Sequence, residues 1–458
     1  MIVRLAVRSL VTRPLRTAVL AIGFGLGIAV MAELLGVGDV ILEQAHSPAL
    51  QGGGDLVVAS ALGPIESAQF VLSDVLGSER FRTRIAAASP ARRATLYLMS
   101  GGKPLPVAVH AGVPSLERAV GDPEIRDAAT WIDEPADDAW KHPRPDAVLR
   151  RMDRFHPVPD AENIALRASW AEWLYFNGRT TDGRARFYLT FLSGGPGEHA
   201  AGMRPLSVRL QLERDGKTTS YSASAQVDER DLLARAPDLD VGENRVRLEG
   251  SSYHITLAFP ELRGDLVLDA AAGRSLPPNA IHGASGWVSG YVVPVLSGTF
   301  RGRLGDLSLD AAPGYHDHNW GFWEGVRWQW GQVAGRDMSI VYGRVFPPPT
   351  VADPDRIPGF LGVLGPEGPI AFSTDVVIQE HDDAGVVNAI TVEARGRRID
   401  LTLHLDIAES VHTRMPLTRG PSGAMNFLQL GGIYRVSGTA AGHDVNFTAR
   451  GSAETFRP

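Results

Sequence analysis

Tyr253-His254-Ile255-Thr256-Leu257-Ala258-Phe259 alternates, residue by residue, between large apolar side chains and small or polar ones. A strand points successive side chains to opposite faces, so this period of two places Tyr253, Ile255, Leu257 and Phe259 together on one buried face. The pattern recurs on either side. Val208, Leu210 and Leu212 alternate with Arg209, Gln211 and Glu213, and Asp215-Gly216 then supplies a hairpin turn. Ile399, Leu401, Leu403 and Leu405 repeat it far downstream, and shorter runs at 266–268, 291–295, 339–345, 374–379, 390–394, 433–436 and 445–448 fill the intervals. Short strands at even spacing, with turn residues between them, predict antiparallel sheets that close into barrels or sandwiches. Residues 165–458 hold too many strands for one small barrel. Two are expected, over 159–305 and 306–458. Ahead of them, residues 43–158 form a poorly patterned segment. It ends in a Pro/Asp-rich linker from Asp133 to Pro159, with a helical turn or two around Asp146–Phe155.

Composition narrows the class. A chain of 458 residues with 44% hydrophobic and 21% charged content can bury sizeable cores in two or three domains. The formal charge of −7, without a Lys/Arg cluster beyond the N-terminus, argues against nucleic acid as a partner. The absence of cysteine excludes disulfides, thiolate metal sites and a cysteine nucleophile.

Residues 17–42 are apolar except for Thr17, Glu33 and Asp39, and Arg4, Arg8, Arg13 and Arg16 precede them. About 20 apolar residues span a bilayer as a helix. The arginines hold the N-terminus on the cytoplasmic side, so residues 1–42 read as a single membrane anchor with the bulk of the chain extracytoplasmic. Two other readings stand beside this one. Val30-Met31-Ala32 resembles the cleavage site of a secretory signal peptide, and the segment also fits a buried helix of a soluble protein. Leu5-Ala6-Val7-Arg8-Ser9-Leu10 and Arg13-Pro14-Leu15-Arg16-Thr17 resemble the first transmembrane segment of FtsX-like ABC-transporter permeases. Gly53-Gly54-Asp55-Leu56-Val57-Val58 resembles the start of their extracytoplasmic part. That resemblance implies an ABC exporter as partner. No further apolar run of about 18 residues occurs, which argues against transport by this chain alone.

The residues that point to chemistry are concentrated in one block. Tyr315-His316-Asp317-His318-Asn319-Trp320-Gly321 leads into Trp323, Trp328 and Trp330, so four of the nine tryptophans lie within eleven residues. In an extended segment Tyr315, Asp317 and Asn319 share one face, and His316, His318 and Trp320 share the other. Three readings fit. The block can be a reaction site, an aromatic wall that grips a greasy ligand, or a metal pair at His316 and His318 that needs a third ligand such as His282 or Glu324.

Gly314 to Gly321 resembles the signature of the hydroxyneurosporene synthase (carotenoid 1,2-hydratase) family, within the broader AttH-like, lipocalin-related group. Supporting stretches are Trp170-Ala171-Glu172-Trp173-Leu174-Tyr175-Phe176-Asn177-Gly178, Gly290-Tyr291-Val292-Val293-Pro294-Val295-Leu296-Ser297-Gly298 and Ala453-Glu454-Thr455-Phe456. Together they cover roughly residues 160–458. The resemblance implies two tandem lipocalin-like β-barrels and a hydro-lyase acting on an isoprenoid, carotenoid or other apolar lipid, with no cofactor and no metal.

Adding water to an isolated alkene needs a strong acid, a means of tolerating a cation, and a held water. A carboxylic acid kept neutral by apolar walls can supply the proton, and Asp317 is the candidate. Tyr315, Trp320 and Trp323 are placed to face the cation, and His316 or His318 to orient the water. Trp287, Trp328, Trp330 and Asn319 complete the expected substrate-binding set. Glu172 is expected to pair with a buried arginine, with Arg327 as the candidate partner. His156 is expected to be an ordinary surface residue. The alternative function is a non-catalytic carrier of the same class of ligand, working with an exporter.

Overall fold

The computed structural model describes residues 54–58, 65, 68–77, 81, 83–100, 103–122, 125, 130–142, 144–159, 164–195, 202–383, 385–416 and 424–457. The expected membrane anchor at 1–42 lies outside these residues. Among the described residues no helix is long and apolar enough to cross a membrane. The chain divides into two units, one of residues 1–60 with 83–141 and the other of residues 61–82 with 142–458.

In the first unit, β1 (Ala91–Ser100) and β2 (Lys103–Gly112) form a hairpin, followed by a short helix, Pro114–Ala119. Pro114 opens that helix, where its missing N–H costs nothing.

The second unit is built on two antiparallel sheets. The first comprises β3 (Trp170–Arg179), β4 (Ala185–Gly194), β5 (Met203–Arg214), β6 (Lys217–Asp228), β7 (Leu239–Val241), β8 (Asn244–Glu249), β9 (Ser252–Phe259), β10 (Leu262–Ala270), β11 (Leu276–His282), β12 (Val288–Leu304) and β13 (Leu307–Phe322). Its order is β6-β5-β4-β3-β13-β12-β10-β9-β8-β7, with β11 also on β12. The second comprises β14 (Arg327–Ala334), β15 (Ser339–Phe346), β16 (Phe360–Gly365), β17 (Gly368–Ser373), β18 (Asp375–Asp383), β19 (Val386–Gly396), β20 (Ile399–Pro416), β21 (Ala424–Ala440) and β22 (His443–Arg457). Its order is β17-β16-β15-β14-β22-β21-β20-β19-β18. The sheets curl into a nearly closed barrel and a half-barrel, a mainly β architecture consistent with the tandem lipocalin-like barrels that the resemblance implies.

Periodicity accounts for the strands directly. In β9 the apolar members Tyr253, Ile255, Leu257 and Phe259 are all buried, while the intervening residues lie towards solvent. Ile399, Leu401, Leu403 and Leu405 do the same on β20. Asp215 and Gly216 both have positive φ (49° and 78°) between β5 and β6, as a tight hairpin turn requires.

Two expectations about boundaries are revised. The division at 305/306 falls just before β13, yet β13 pairs with β3 and β12 and belongs to the first sheet. A long β12–β13 hairpin could close back onto β3 only by keeping the signature strand with the first barrel. The segment after Asp133 is also more than a linker. Its helix Pro145–Met152 and the turn beyond it place Leu149 and Phe155 in the first barrel's core, and Val148 and Met152 in a neighbouring cluster.

Candidate functional site

The central strand β13 divides the chemistry between two faces, as the alternation at 315–320 predicts. Its neighbour β3 fixes which residues meet. His316 is opposite Phe176, His318 opposite Leu174 and Trp320 opposite Glu172, whereas Tyr315, Asp317 and Asn319 are opposite Asn177, Tyr175 and Trp173. Paired residues share a face. The imidazoles therefore turn with Leu174 and Phe176 into the first barrel, and Asp317 turns the other way, towards the second sheet.

Inside the first barrel, both imidazoles are fully buried around Asp153. His316 Nε2 lies 3.1 Å from Asp153 Oδ2, and its Nδ1 donates to the Tyr175 carbonyl at 3.0 Å. His318 bridges two carboxylates, with Nδ1 2.9 Å from Asp153 Oδ1 and Nε2 3.0 Å from Glu172 Oε1. Tyr253 donates its hydroxyl to Asp153 at 2.9 Å. Glu172 accepts from the His156 backbone N–H and lies 2.7 Å from His156 Nδ1. Arg204, fully buried, sits 3.8 Å from Glu172 and donates to the carbonyls of Gly194 and His156.

Burial alone would discharge His318, but its hydrogen bonds to Asp153 and Glu172 outweigh that and raise it to about 9. Burial also pushes the Asp153 carboxyl up, and the two imidazoles more than reverse this, holding it at about 2. Glu172 is likewise lowered against the pull of burial by His156 and His318. The result is a closed, charged knot that locks the Pro145–Met152 segment to β3 and β13.

The outward face of β13 is of a different kind. Asp317 Oδ2 accepts from the Tyr315 hydroxyl at 2.7 Å, and Oδ1 accepts from Asn319 Nδ2 at 2.7 Å. Trp330 Nε1 donates to the Tyr315 oxygen at 2.9 Å. From the second sheet, Glu454 on β22 is opposite Trp330 and accepts from Trp328 Nε1 at 3.1 Å. Gln429 on β21 donates to the Tyr175 hydroxyl at 2.9 Å. Among the described residues, no arginine or lysine is paired with either carboxyl. Burial, and then the neighbouring Glu454, push Asp317 well above the usual carboxylate range. Burial pushes Glu454 up to about 7. Both acids therefore hold their protons more tightly than ordinary carboxyls where the barrels meet.

Aromatic rings surround them. Trp330 packs edge-on to Tyr291 and Phe360, with centroids 5.1 and 5.6 Å away. Trp328 packs on Phe456 at 4.3 Å, and Trp323 lies between Trp328 and Trp173 at 5.4 and 4.6 Å.

The structure therefore redistributes the expected site. Tyr315, Asp317, Asn319 and Trp330 converge, with Trp328 joined to them through Glu454. Trp320 lies on the opposite face, stacked 4.2 Å from the His156 ring. Gly290 makes room for it, because a Cβ there would come within 2.3 Å of the indole. Trp287 is buried beside this group with its Nε1 bonded to the Phe322 carbonyl. His316 and His318 cannot hold a water against Asp317, since the strand lies between them.

Among the described residues, neither His282 nor Glu324 joins a metal-ligating group. The grouping that includes His318 is instead His156, Glu172 and His318. Arg327 is exposed against Phe346, and Arg204 takes its place beside Glu172. His156 is a half-buried member of the knot rather than a surface residue. Asp153, Arg204 and Glu454 carry no sequence signal of their own for these roles. The stretch at 453–456 marked Glu454 by resemblance, without a role.

No family model matches the sequence, and no curated protein does. Among solved structures, the chain is similar to one described as an AttH protein from Nitrosomonas europaea, with a TM-score of 0.41 and 15% identity over 66% of this chain and 99% of that one. It is similar to CghA with Sch210972, with a TM-score of 0.44 and 13% identity over 69% and 95%. It is also similar to kievitone hydratase from Nectria haematococca, with a TM-score of 0.41 and 13% identity over 66% and 95%.

Proposed function

We propose that the chain is a hydratase that adds water to a carbon–carbon double bond of an apolar isoprenoid or lipid, with Asp317 as the proton donor. One observation carries this reading: two buried carboxyls, Asp317 and Glu454, with raised affinities for protons, stand at the aromatic-walled junction of the barrels. An acid that stays protonated at neutral pH is what alkene protonation requires. Asp317 transfers its proton to the less substituted alkene carbon, leaving a tertiary cation opposite the faces of Tyr315 and Trp330. Water attacks the cation, and its surplus proton passes to Glu454, the neighbouring carboxyl. Return of that proton to Asp317 completes the cycle, with no net gain or loss beyond the water added. Glu454 thus takes the role that the sequence suggested for a histidine.

A specific observation favours the alternative, a carrier that binds the same ligands unchanged. Both Asp317 oxygens are already engaged by Tyr315 and Asn319, as they would be in a structural strut. We further place the chain at the outer face of the cytoplasmic membrane, tethered by residues 17–42 and associated with an ABC exporter, on the strength of its N-terminal sequence. The deciding experiment incubates the purified full-length chain with acyclic carotenoids and a total lipid extract. Mass spectrometry should find a product heavier by one water. Recovery of bound but unaltered lipid would establish the carrier instead.

A further inference from the structure

A second group of titratable side chains lies in the other unit and takes no part in the chemistry above. We propose that His110, Glu117 and Asp122 form a binding site for a divalent transition-metal ion of the zinc class. His110 is on β2, Glu117 is in the helix Pro114–Ala119, and Asp122 comes just after that helix. One strand-turn-helix segment therefore supplies all three. Each offers one donor atom, and the three atoms lie within 4.8 Å of one another.

The spacing within this group differs from that of the knot around His318. There, the donors are 2.7–3.0 Å apart and share hydrogens directly. Here, His110 Nε2 stands 3.7 Å from Glu117 Oε1, and Nδ1 stands 3.8 Å from Asp122 Oδ2. Those gaps are too long for hydrogen bonds. They suit side chains that turn slightly to meet one ion at bond lengths of about 2.0–2.2 Å.

Glu117 gives the independent indication. It is wholly buried, and although Oε1 accepts from the Ser89 hydroxyl at 2.9 Å, Oε2 has no hydrogen-bond partner among the described residues. A buried carboxylate oxygen left in that state is costly unless a cation or proton meets it. Gly112 is shaped around the same group, because a Cβ there would fall 2.3 Å from Glu117 Oε1. Asp122 is also buried, whereas His110 is partly open and gives an ion a way in. One imidazole and two carboxylates make a borderline donor set that suits zinc, and three protein ligands leave a fourth position for water or another group.

The test titrates metal-stripped full-length chain with zinc chloride and follows binding by calorimetry and by metal content after desalting. One zinc per chain should be retained, and X-ray absorption should show a nitrogen/oxygen shell containing a single imidazole. His110→Ala and Glu117→Gln should each weaken binding at least about 10-fold, and His156→Ala should leave it unchanged. His110 is partly exposed, so its variant keeps the test decisive if Glu117→Gln fails to fold. The proposal is overturned if no zinc is retained, if both variants bind as the parent does, or if His156→Ala is the one that abolishes uptake. The first of these outcomes would mean that a proton shared by the two carboxylates fills the gap.

Discussion

Asp317 and His318 lie on opposite faces of one strand, and their surroundings set their protonation in opposite senses. On the inner face, opposite charges outnumber the burial cost and His318 is held charged. On the outer face, among the described residues, no arginine or lysine pairs with the carboxyls, and burial strengthens their hold on protons. Asp317→Asn is therefore expected to keep the fold and ligand binding while lowering hydration by about 10²- to 10⁴-fold, the usual contribution of a positioned general acid. Steady-state kinetics alongside a binding assay will separate the two effects. If Asp317 is only a strut, the same change should lower stability and leave ligand handling intact. In the proposed reaction the pair also sets a pH profile, because the step needs Glu454 ionised and Asp317 protonated. The rate should rise with pH through about 7, where Glu454 loses its proton, with loss of the Asp317 proton, held more tightly than in an ordinary carboxyl, setting the opposing limb. Since the two interact, these limbs belong to the pair. In Glu454→Gln the rising limb should disappear.

The segment Pro145–Phe155 behaves at the element scale as a plug fixed by its polar tip. Asp153 accepts Tyr253 and meets both imidazoles at the centre of the first barrel, and Phe155 packs 5.1 Å from the His318 ring. Removing one member of a buried charged pair costs about 3–5 kcal/mol, so Asp153→Asn should lower unfolding stability in urea by that order. The pH dependence has a definite sign. The Asp153 pKa is depressed in the folded state, so its contribution is present above its ordinary value of 3.8 and is lost as pH falls towards 2. The His318 pKa is raised, so its contribution is present below 6.5 and is lost as pH rises through about 9. Denaturation series at low and high pH should show both losses in the parent and a flattened acid limb in Asp153→Asn. The sequence made the two faces of β13 legible, because a period of two needs no partner to be read. It could not disclose Asp153, which lies 163 residues from His316 in a stretch without periodicity. Arg204 was equally hidden: an arginine amid an alternating strand looks like any outward-facing charge until its partner is known.

For the whole molecule, the strand alternation was enough to anticipate two antiparallel barrels, and the resemblance supplied their lipocalin-like character. The boundary between them depended on which sheet β13 would join, and that is decided by pairing with β3 across more than half the first barrel's sequence. The proposed placement outside the cytoplasmic membrane can be checked in intact spheroplasts. Added protease should digest the C-terminal half, and carbonate washing should leave the chain with the membrane. Protection from protease would reverse the orientation, and release by carbonate would favour a cleaved signal peptide.

Asp317 belongs to the first sheet and Glu454 to the last strand of the second, each set among tryptophans rooted in both. If the two act together as proposed, neither half is an interchangeable cassette. A chimera that borrows its second barrel from a relative would keep Asp317 but inherit a foreign partner for it, and the two would have to be re-matched before the proposed reaction could run. Residues near Glu454 and Asp317 should accordingly drift together, with substitutions in one barrel answered in the other.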